Sequence, residues 1–376
     1  METKEKRKLN ILRICPAAHI VAAVSGLIIL LHLALRGNHD LMAWLSLNFV
    51  RPVHRALSQL WSFVPFSGAE CLIGFFAVGI VLYLAVMLFR IVRSGDRLHR
   101  LYSVLVTLLA AGLTVYALFC VLWGVYYYGD DFETMSGLHA GEISTEQLEL
   151  VTRYFAARLN EYGEIVPREE HGFYIADREA ILERSPEVFA LTEQRFPCLA
   201  GPDISVKPVH FSRIMSYLDF TGFFFPFTAE ANVNTDFPPS GFASTVAHEL
   251  SHQRGVAKEQ EANFVAVMAC LDYGDADYCY SACQLAYTHL GNALYKADYD
   301  KWLAVYETLT EPVQLDMALN RAYWKQFETP VQTVSNTVYE GFLYSYEQNL
   351  GLRSYGACVD LLVNYYEQEA ENYFRS

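Results

Sequence analysis

In the stretch Thr245-Val246-Ala247-His248-Glu249-Leu250-Ser251-His252-Gln253-Arg254-Gly255, two histidines stand four residues apart with a glutamate directly after the first. On a helix of 3.6 residues per turn, His248 and His252 share one face, so both imidazoles reach a single metal ion. Glu249 lies about 100° around the same helix and can lean over the metal's remaining position without being a ligand. Two neutral imidazoles leave zinc electrophilic, and zinc lowers the pKa of water towards about 7. Glu249 then completes the nucleophile as general base, activating that water. If the two histidines were merely polar positions on a helix face, the turn and the acidic pair that follow them would have no purpose.

A third ligand is required. Gly255 is placed to end the first helix in a left-handed cap, Arg254 complements the helix's negative end, and a second helix can begin near Ala257. Glu259 and Asn263 are four apart on that helix. The segment Glu259-Gln260-Glu261-Ala262-Asn263 resembles the Glu-x-x-Ala-Asp element of glutamate-zincins. That resemblance implies Glu259 as the zinc ligand and Asn263 as the residue that orients a ligand histidine. The spacer from His252 to Glu259 is shorter than in most such enzymes, and Asn stands where they carry Asp. A metzincin-like third histidine is excluded, because Lys258 occupies its place. Glu261 is the rival ligand. Structural zinc normally has four protein ligands, so three point to an open catalytic position.

The elements that must position these residues are mostly helical. Ser144 and Gln147 form a capping-box pattern, with Ile143 placed to staple onto Leu148, and open a helix to about Asn160. Further helical spacing runs from Asp177 to Phe196, Phe242 to Arg254, Lys296 to Glu307, Leu315 to Phe327, Thr333 to Asn349 and Ala357 to Tyr373. Phe264 to Leu271 is apolar but too short to span a membrane, so it reads as a buried helix supporting the site. Gly222 to Asn234 suits extended structure, and the glutamate-zincin resemblance implies that Ala231 to Asn234 is an edge strand pairing with substrate backbone, a loop packed on the domain being the equal alternative. Tyr339, Tyr355, His210 and His289 are candidates to support a developing oxyanion, none of them singled out. Cys279 and Cys283, four apart, read as core residues.

The front of the chain has another character. Ile14 to Leu35, Cys71 to Phe89 and Leu101 to Gly129 contain no Asp, Glu, Lys or Arg, and each suffices for the roughly 20 residues of a transmembrane helix. The spans are expected at about 14–35, 71–89 and 101–127, with Trp123, Tyr126, Tyr127 and Tyr128 at the outer interface. The first apolar run exceeds the core of a signal peptide and lacks a clean cleavage pattern, so it reads as a retained helix. His19 and His32 within it read as tolerated rather than functional.

Lys4, Lys6, Arg7, Lys8 and Arg13 precede the first span, and Arg90, Arg93, Arg97 and Arg100 surround the second connection. Positive charge places these inside and everything after Gly129 outside the cell. Residues 1–129 carry 12 Lys and Arg against 5 Asp and Glu, whereas the remainder carries 16 against 37. The acidic remainder lacks the clustered cations that bind phosphates, which argues against a nucleic-acid partner. Eight cysteines without a CxxC pair define neither a disulfide framework nor a cysteine zinc site.

Taken with the three apolar runs, the Pro226-Phe227-Thr228-Ala229-Glu230-Ala231-Asn232-Val233-Asn234 run, the His248 to Asn263 segment, and Ser354-Tyr355-Gly356 before Val359-Asp360-Leu361-Leu362 resemble a bacterial membrane family catalogued as domain of unknown function 3810. That resemblance covers nearly the whole chain and implies its architecture and a metallopeptidase character. The expected fold is mainly α: three transmembrane helices in residues 1–129, then a zincin-like extracytoplasmic domain in 130–376 with minor β structure. The expected function is a membrane-anchored, zinc-dependent hydrolysis of peptide bonds at the outer face, with a peptide or protein substrate. A zinc-binding sensor or scaffold without catalysis and a cell-wall amidase are the alternatives.

Overall fold

The computed structural model describes residues 14–346 and 355–375. The basic residues Lys4, Lys6, Arg7, Lys8 and Arg13, the end of the helix expected to reach Asn349, Ser354 and the side chain of Tyr355 lie outside them. The chain opens with α1 (Pro16–Leu35), α2 (His39–Leu45), a π-helical turn at Ser46–Val50, and α3 (Arg51–Trp61); α4 (Gly68–Val92) and α5 (Arg97–Leu122) follow. Of these, α1, α4 and α5 are long and apolar enough to cross a membrane. Leu30, Phe75, Val81 and Leu105 are exposed on them, an apolar surface that suits lipid and not water. α1 and α5 are tied by hydrogen bonds between His19 and Tyr102, 2.8 Å, and between Ser25 and Thr114, 3.0 Å.

The third span ends sooner than 127. After Leu122 the chain tightens into a 3₁₀ turn at Gly124–Tyr128, and a Cβ on Gly124 would stand 3.3 Å from both His32 and Tyr346. Trp123 and Tyr126 are therefore not an aromatic belt in lipid. They are buried with Met42, Val50 and Ala257 in a small core of their own, because the connection between the first two spans folds over them.

That connection lies at the same end of the spans as everything after Gly129. Arg51 donates to the Cys198 carbonyl at 2.8 Å, and the Glu70 carboxylate in the first turn of α4 accepts from the amides of His210 and Phe211. Glu230 accepts from the amides of Gly68 and Ala69, and Ser67 donates to Asn232 at 2.6 Å. A carboxylate at a helix N-terminus satisfies amides that have no partner within the helix.

Beyond Gly129 come α6 (Phe132–Ser136) and α7 (Thr145–Ile165), the latter opened by the expected Ser144/Gln147 capping box. The helix expected from Asp177 to Phe196 is instead α8 (Arg178–Arg184), a 3₁₀ turn at Ser185–Glu187 and α9 (Thr192–Arg195). Pro186 removes a backbone donor and interrupts it. Next are β1 (Lys207–Pro208), α10 (Ser212–Tyr217), β2 (Gly222–Phe225), β3 (Glu230–Val233), α11 (Phe242–Gln253) and α12 (Glu259–Tyr273). The chain then continues through α13 (Ala276–Ala297), α14 (Tyr299–Tyr306), α15 (Glu311–Lys325), α16 (Pro330–Ser345) and α17 (Tyr355–Arg375). Asp298 caps α14, which makes the helix expected from Lys296 two separate ones.

The core lies where α7, α11, α12, α13 and α17 meet, and Phe264 to Cys270 are wholly buried in it. The sheet has the order β1-β3-β2, β3 parallel to β1 and antiparallel to β2. This corrects the expectation of an edge strand at Ala231–Asn234. Ala231 and Val233 pack into the core while Glu230 and Asn232 alternate toward the start of α4, so β3 is central. Among the described residues the edge beside α11 is β2.

Candidate metal centre

Helix α11 ends in a Schellman turn. The Val256 amide bonds the Ser251 carbonyl at 3.1 Å, and the Gly255 amide bonds His252 at 2.9 Å. Gly255 has φ +88, and a Cβ there would meet Tyr126 at 2.9 Å, so the left-handed position needs glycine on both counts. The turn reverses the chain into α12 and folds the Val256 carbonyl over His252, whose Nδ1 lies 2.7 Å from it. Donation from Nδ1 to this carbonyl orients the ring so that Nε2 faces the triangle. Arg254, buried at the helix end, reaches the Leu250 carbonyl and Asp203, as its expected role required.

The two imidazoles and one carboxylate converge. His248 Nε2 and His252 Nε2 are 3.1 Å apart, and Glu259 Oε2 lies 3.1 Å from the first and 3.6 Å from the second. Donors bound to a tetrahedral zinc at about 2.0–2.1 Å would stand about 3.3 Å from one another. The triangle thus fits a zinc ion in size and in its nitrogen and oxygen donors. His248, His252 and Glu259 form the only such cluster among the described residues.

Glu261 points elsewhere. Its carboxylate accepts from the amide of Phe132 at 2.9 Å and faces that of Glu133, capping α6, with Lys258 3.9 Å away. Burial pushes its carboxyl up to about 7, against the pull of Lys258 and those amides. Asn263 lines the cavity but bonds neither histidine. The Val256 carbonyl takes Nδ1 of His252, and Nδ1 of His248 is buried with no partner among the described residues. The expected orienting role of Asn263 is therefore filled, for His252, by main chain.

Glu249 is buried beside the triangle, and its Oε2 has no hydrogen-bond partner among the described residues. An unsatisfied buried acceptor costs about 1–3 kcal/mol, and here it marks a group poised to bond something the chain does not itself supply. Desolvation pushes its carboxyl up to about 7; Glu259 adds to this and the two histidines oppose it. Burial disfavours a charged His252, but Glu259 outweighs it and pushes the imidazole up to about 9. The same pairing holds Glu259 well below the ordinary carboxylate range despite its own desolvation.

Two further residues shape the site: Tyr339, read in the sequence only as one of four oxyanion candidates, and Gly222, which no local sequence signal marks. Tyr339 on α16 donates to Glu259 Oε1 at 2.6 Å, which anchors the carboxylate oxygen that faces away from the histidines. Gly222, at the start of β2, lies against Glu249, where an added Cβ would fall 2.5 Å from Oε1. Of the other oxyanion candidates, His289 is buried and burial lowers it to about 4, with the charge of His248 adding to the effect. The His210 amide is tied to Glu70, away from the triangle. Trp123 stands edge-on to His252 at 5.9 Å. All of this encloses a cavity of about 570 Å³ whose lining runs from Phe119 and Trp123 through β2 to Gln284 and Tyr339. Cys279 and Cys283 are buried in the core.

A family model matches residues 46–363, and the chain belongs to that family, described as protein of unknown function (DUF3810). No curated protein and no solved structure matches it.

Proposed function

We propose that this member of the family is a membrane-anchored zinc metallopeptidase that hydrolyses peptide bonds at the outer face of the cell membrane. The observation that carries the reading is the triangle of His248, His252 and Glu259, with contacts of 3.1, 3.1 and 3.6 Å. These three residues would hold zinc, which when bound supplies the Lewis acidity that polarises a carbonyl and acidifies water.

Glu249 takes the proton of the attacking water and returns it to the leaving amine, a task suited to a carboxyl whose burial raises it to about 7. The Val256 carbonyl and Tyr339 hold His252 and Glu259 in place. Thr221 to Phe224 line the cavity, and β2 is an edge of the three-stranded sheet, so an extended polypeptide can add alongside it through main-chain hydrogen bonds. This favours a polypeptide over a cell-wall amide. Three protein donors in place of four favour an open catalytic site over a closed sensor.

The outward orientation rests on Arg90, Arg93, Arg97 and Arg100 around the second connection, opposite the folded end. The chain purified in detergent is expected to hold about one zinc per molecule, and Glu249→Gln to keep the metal while abolishing turnover. Equal activity in that variant would remove the mechanism.

A further inference from the structure

Helix α16 carries Val331, Val334 and Val338 on one stripe, 54%, 63% and 69% exposed, and Glu340 is its one ionisable side chain apart from tyrosines. With Leu218 and Phe220 these valines line a groove that is almost wholly apolar. In water such a face is costly at about 25 cal/mol per Å².

Its position indicates what covers it. Phe342 on α16 packs edge-on against Phe119 of α5 at 5.5 Å, and Tyr346 just beyond the helix reaches Tyr116, also on α5, at 3.4 Å. Both partners lie within the apolar span itself. The groove is thus continuous with the lipid-facing surface of α5. On the other side, Phe211 and Ile214 are exposed beside the start of α4, where Glu70 holds the amides of His210 and Phe211. Two separate elements therefore present apolar side chains at the height where spans meet the folded part.

We infer that α16 lies in the leaflet facing the folded domain, with lipid acyl chains filling its groove, and that the metal cavity takes polypeptides anchored in that same membrane. Phe220, Tyr339 and Phe342 line the groove and the metal cavity alike, and Tyr339 holds the ligand Glu259. A chain emerging from the bilayer meets the site without leaving the lipid surface, which raises its effective concentration over that of a free peptide. The substrate class rests on the metallopeptidase reading; the placement of α16 does not.

The test uses the full chain in nanodiscs whose phospholipids carry a photoreactive diazirine in the acyl chain. After irradiation, mass spectrometry is expected to find adducts on α16 as well as on α1, α4 and α5; adducts on the spans and none on α16 would overturn the placement. A fluorogenic peptide library, each sequence made with and without a palmitoyl anchor, then reads the substrate class. The wild type is expected to prefer anchored peptides at least tenfold, and the doubly substituted Val334→Lys, Val338→Lys chain to lose that preference while its zinc content and its cleavage of free peptides stay unchanged. Equal turnover of both forms by the wild type overturns the substrate class, and a preference that survives the substitutions overturns the part given to the α16 groove in delivering such substrates. If the wild type cleaves neither form, the catalytic reading falls and lipid labelling alone decides where α16 lies.

Discussion

Tyr339 and Glu259, eighty positions apart in sequence, are joined by a 2.6 Å hydrogen bond from the phenol to the carboxylate oxygen that does not face the histidines. Burial and the charge of Glu259 push the phenol's pKa up, so it stays a donor. Outer partners of metal ligands typically contribute about 10–100-fold to metal affinity. Tyr339→Phe is expected to weaken zinc binding by about that factor, measured by competition with a chelator, while circular dichroism remains unchanged.

Glu259 and Glu261 offer a sharper contrast. Glu259→Gln is expected to lose the metal. Glu261→Gln is expected to keep it and to lower the thermal midpoint, since it weakens the cap on the Phe132 and Glu133 amides, a loss of about 1 kcal/mol by the usual worth of a cap. Metal analysis of the two purified variants, with retention in the Glu259 variant, would reverse the ligand assignment.

Gly222 tests the proposed base from its opposite side. A Cβ there would stand 2.5 Å from Glu249 Oε1 and 2.6 Å from its Cγ, so Gly222→Ala must displace the carboxylate. Zinc content should hold while turnover falls by about 100-fold or more, the usual worth of a positioned general base. A Gly222→Ala chain as active as the wild type would show that Glu249 need not sit where it does.

Gly255 couples stability to the metal. Alanine in its left-handed conformation costs roughly 1–2 kcal/mol, before any contact with Tyr126 at 2.9 Å is relieved. Gly255→Ala is expected to lower the thermal midpoint and, by shifting the Val256 carbonyl off His252, to weaken zinc binding as well. An unchanged chelator titration would separate the turn from the ligand geometry.

His54 predicts a pH dependence away from the metal. It is buried against Trp123, Tyr126 and Phe224, and desolvation lowers its pKa from 6.5 to about 4. The folded state therefore binds this proton less readily than the unfolded state. The neutral ring's contribution is complete above pH 6.5 and is lost as pH falls towards 4, by about 3 kcal/mol in all at 1.36 kcal/mol per unit. Thermal midpoints measured from pH 7 to 4 should fall less steeply in His54→Leu than in the wild type.

Much of this protein was determined locally. The spacing of His248 and His252, the glycine that must end their helix, the capping box at Ser144 and the three charge-free runs follow from helical periodicity, backbone sterics and the cost of charge in hydrocarbon. Each of these is settled within a few turns of chain. Tertiary packing decided what periodicity leaves open. Glu259 and Glu261 lie on different faces of one helix, about 200° apart, and only the direction in which α12 leaves the Gly255 turn selects the one that meets the histidines. β3 is central because β1 and β2 both pair with it, and its Glu230 and Asn232 bond the start of α4, more than 150 residues upstream. Trp123 and Tyr126 are core and not belt because a connection from the front of the chain folds over them. Tyr339 and Gly222 reach the site from α16 and β2 with no local pattern to announce them, since a hydrogen bond or a close approach across so many residues is a property of the packed core.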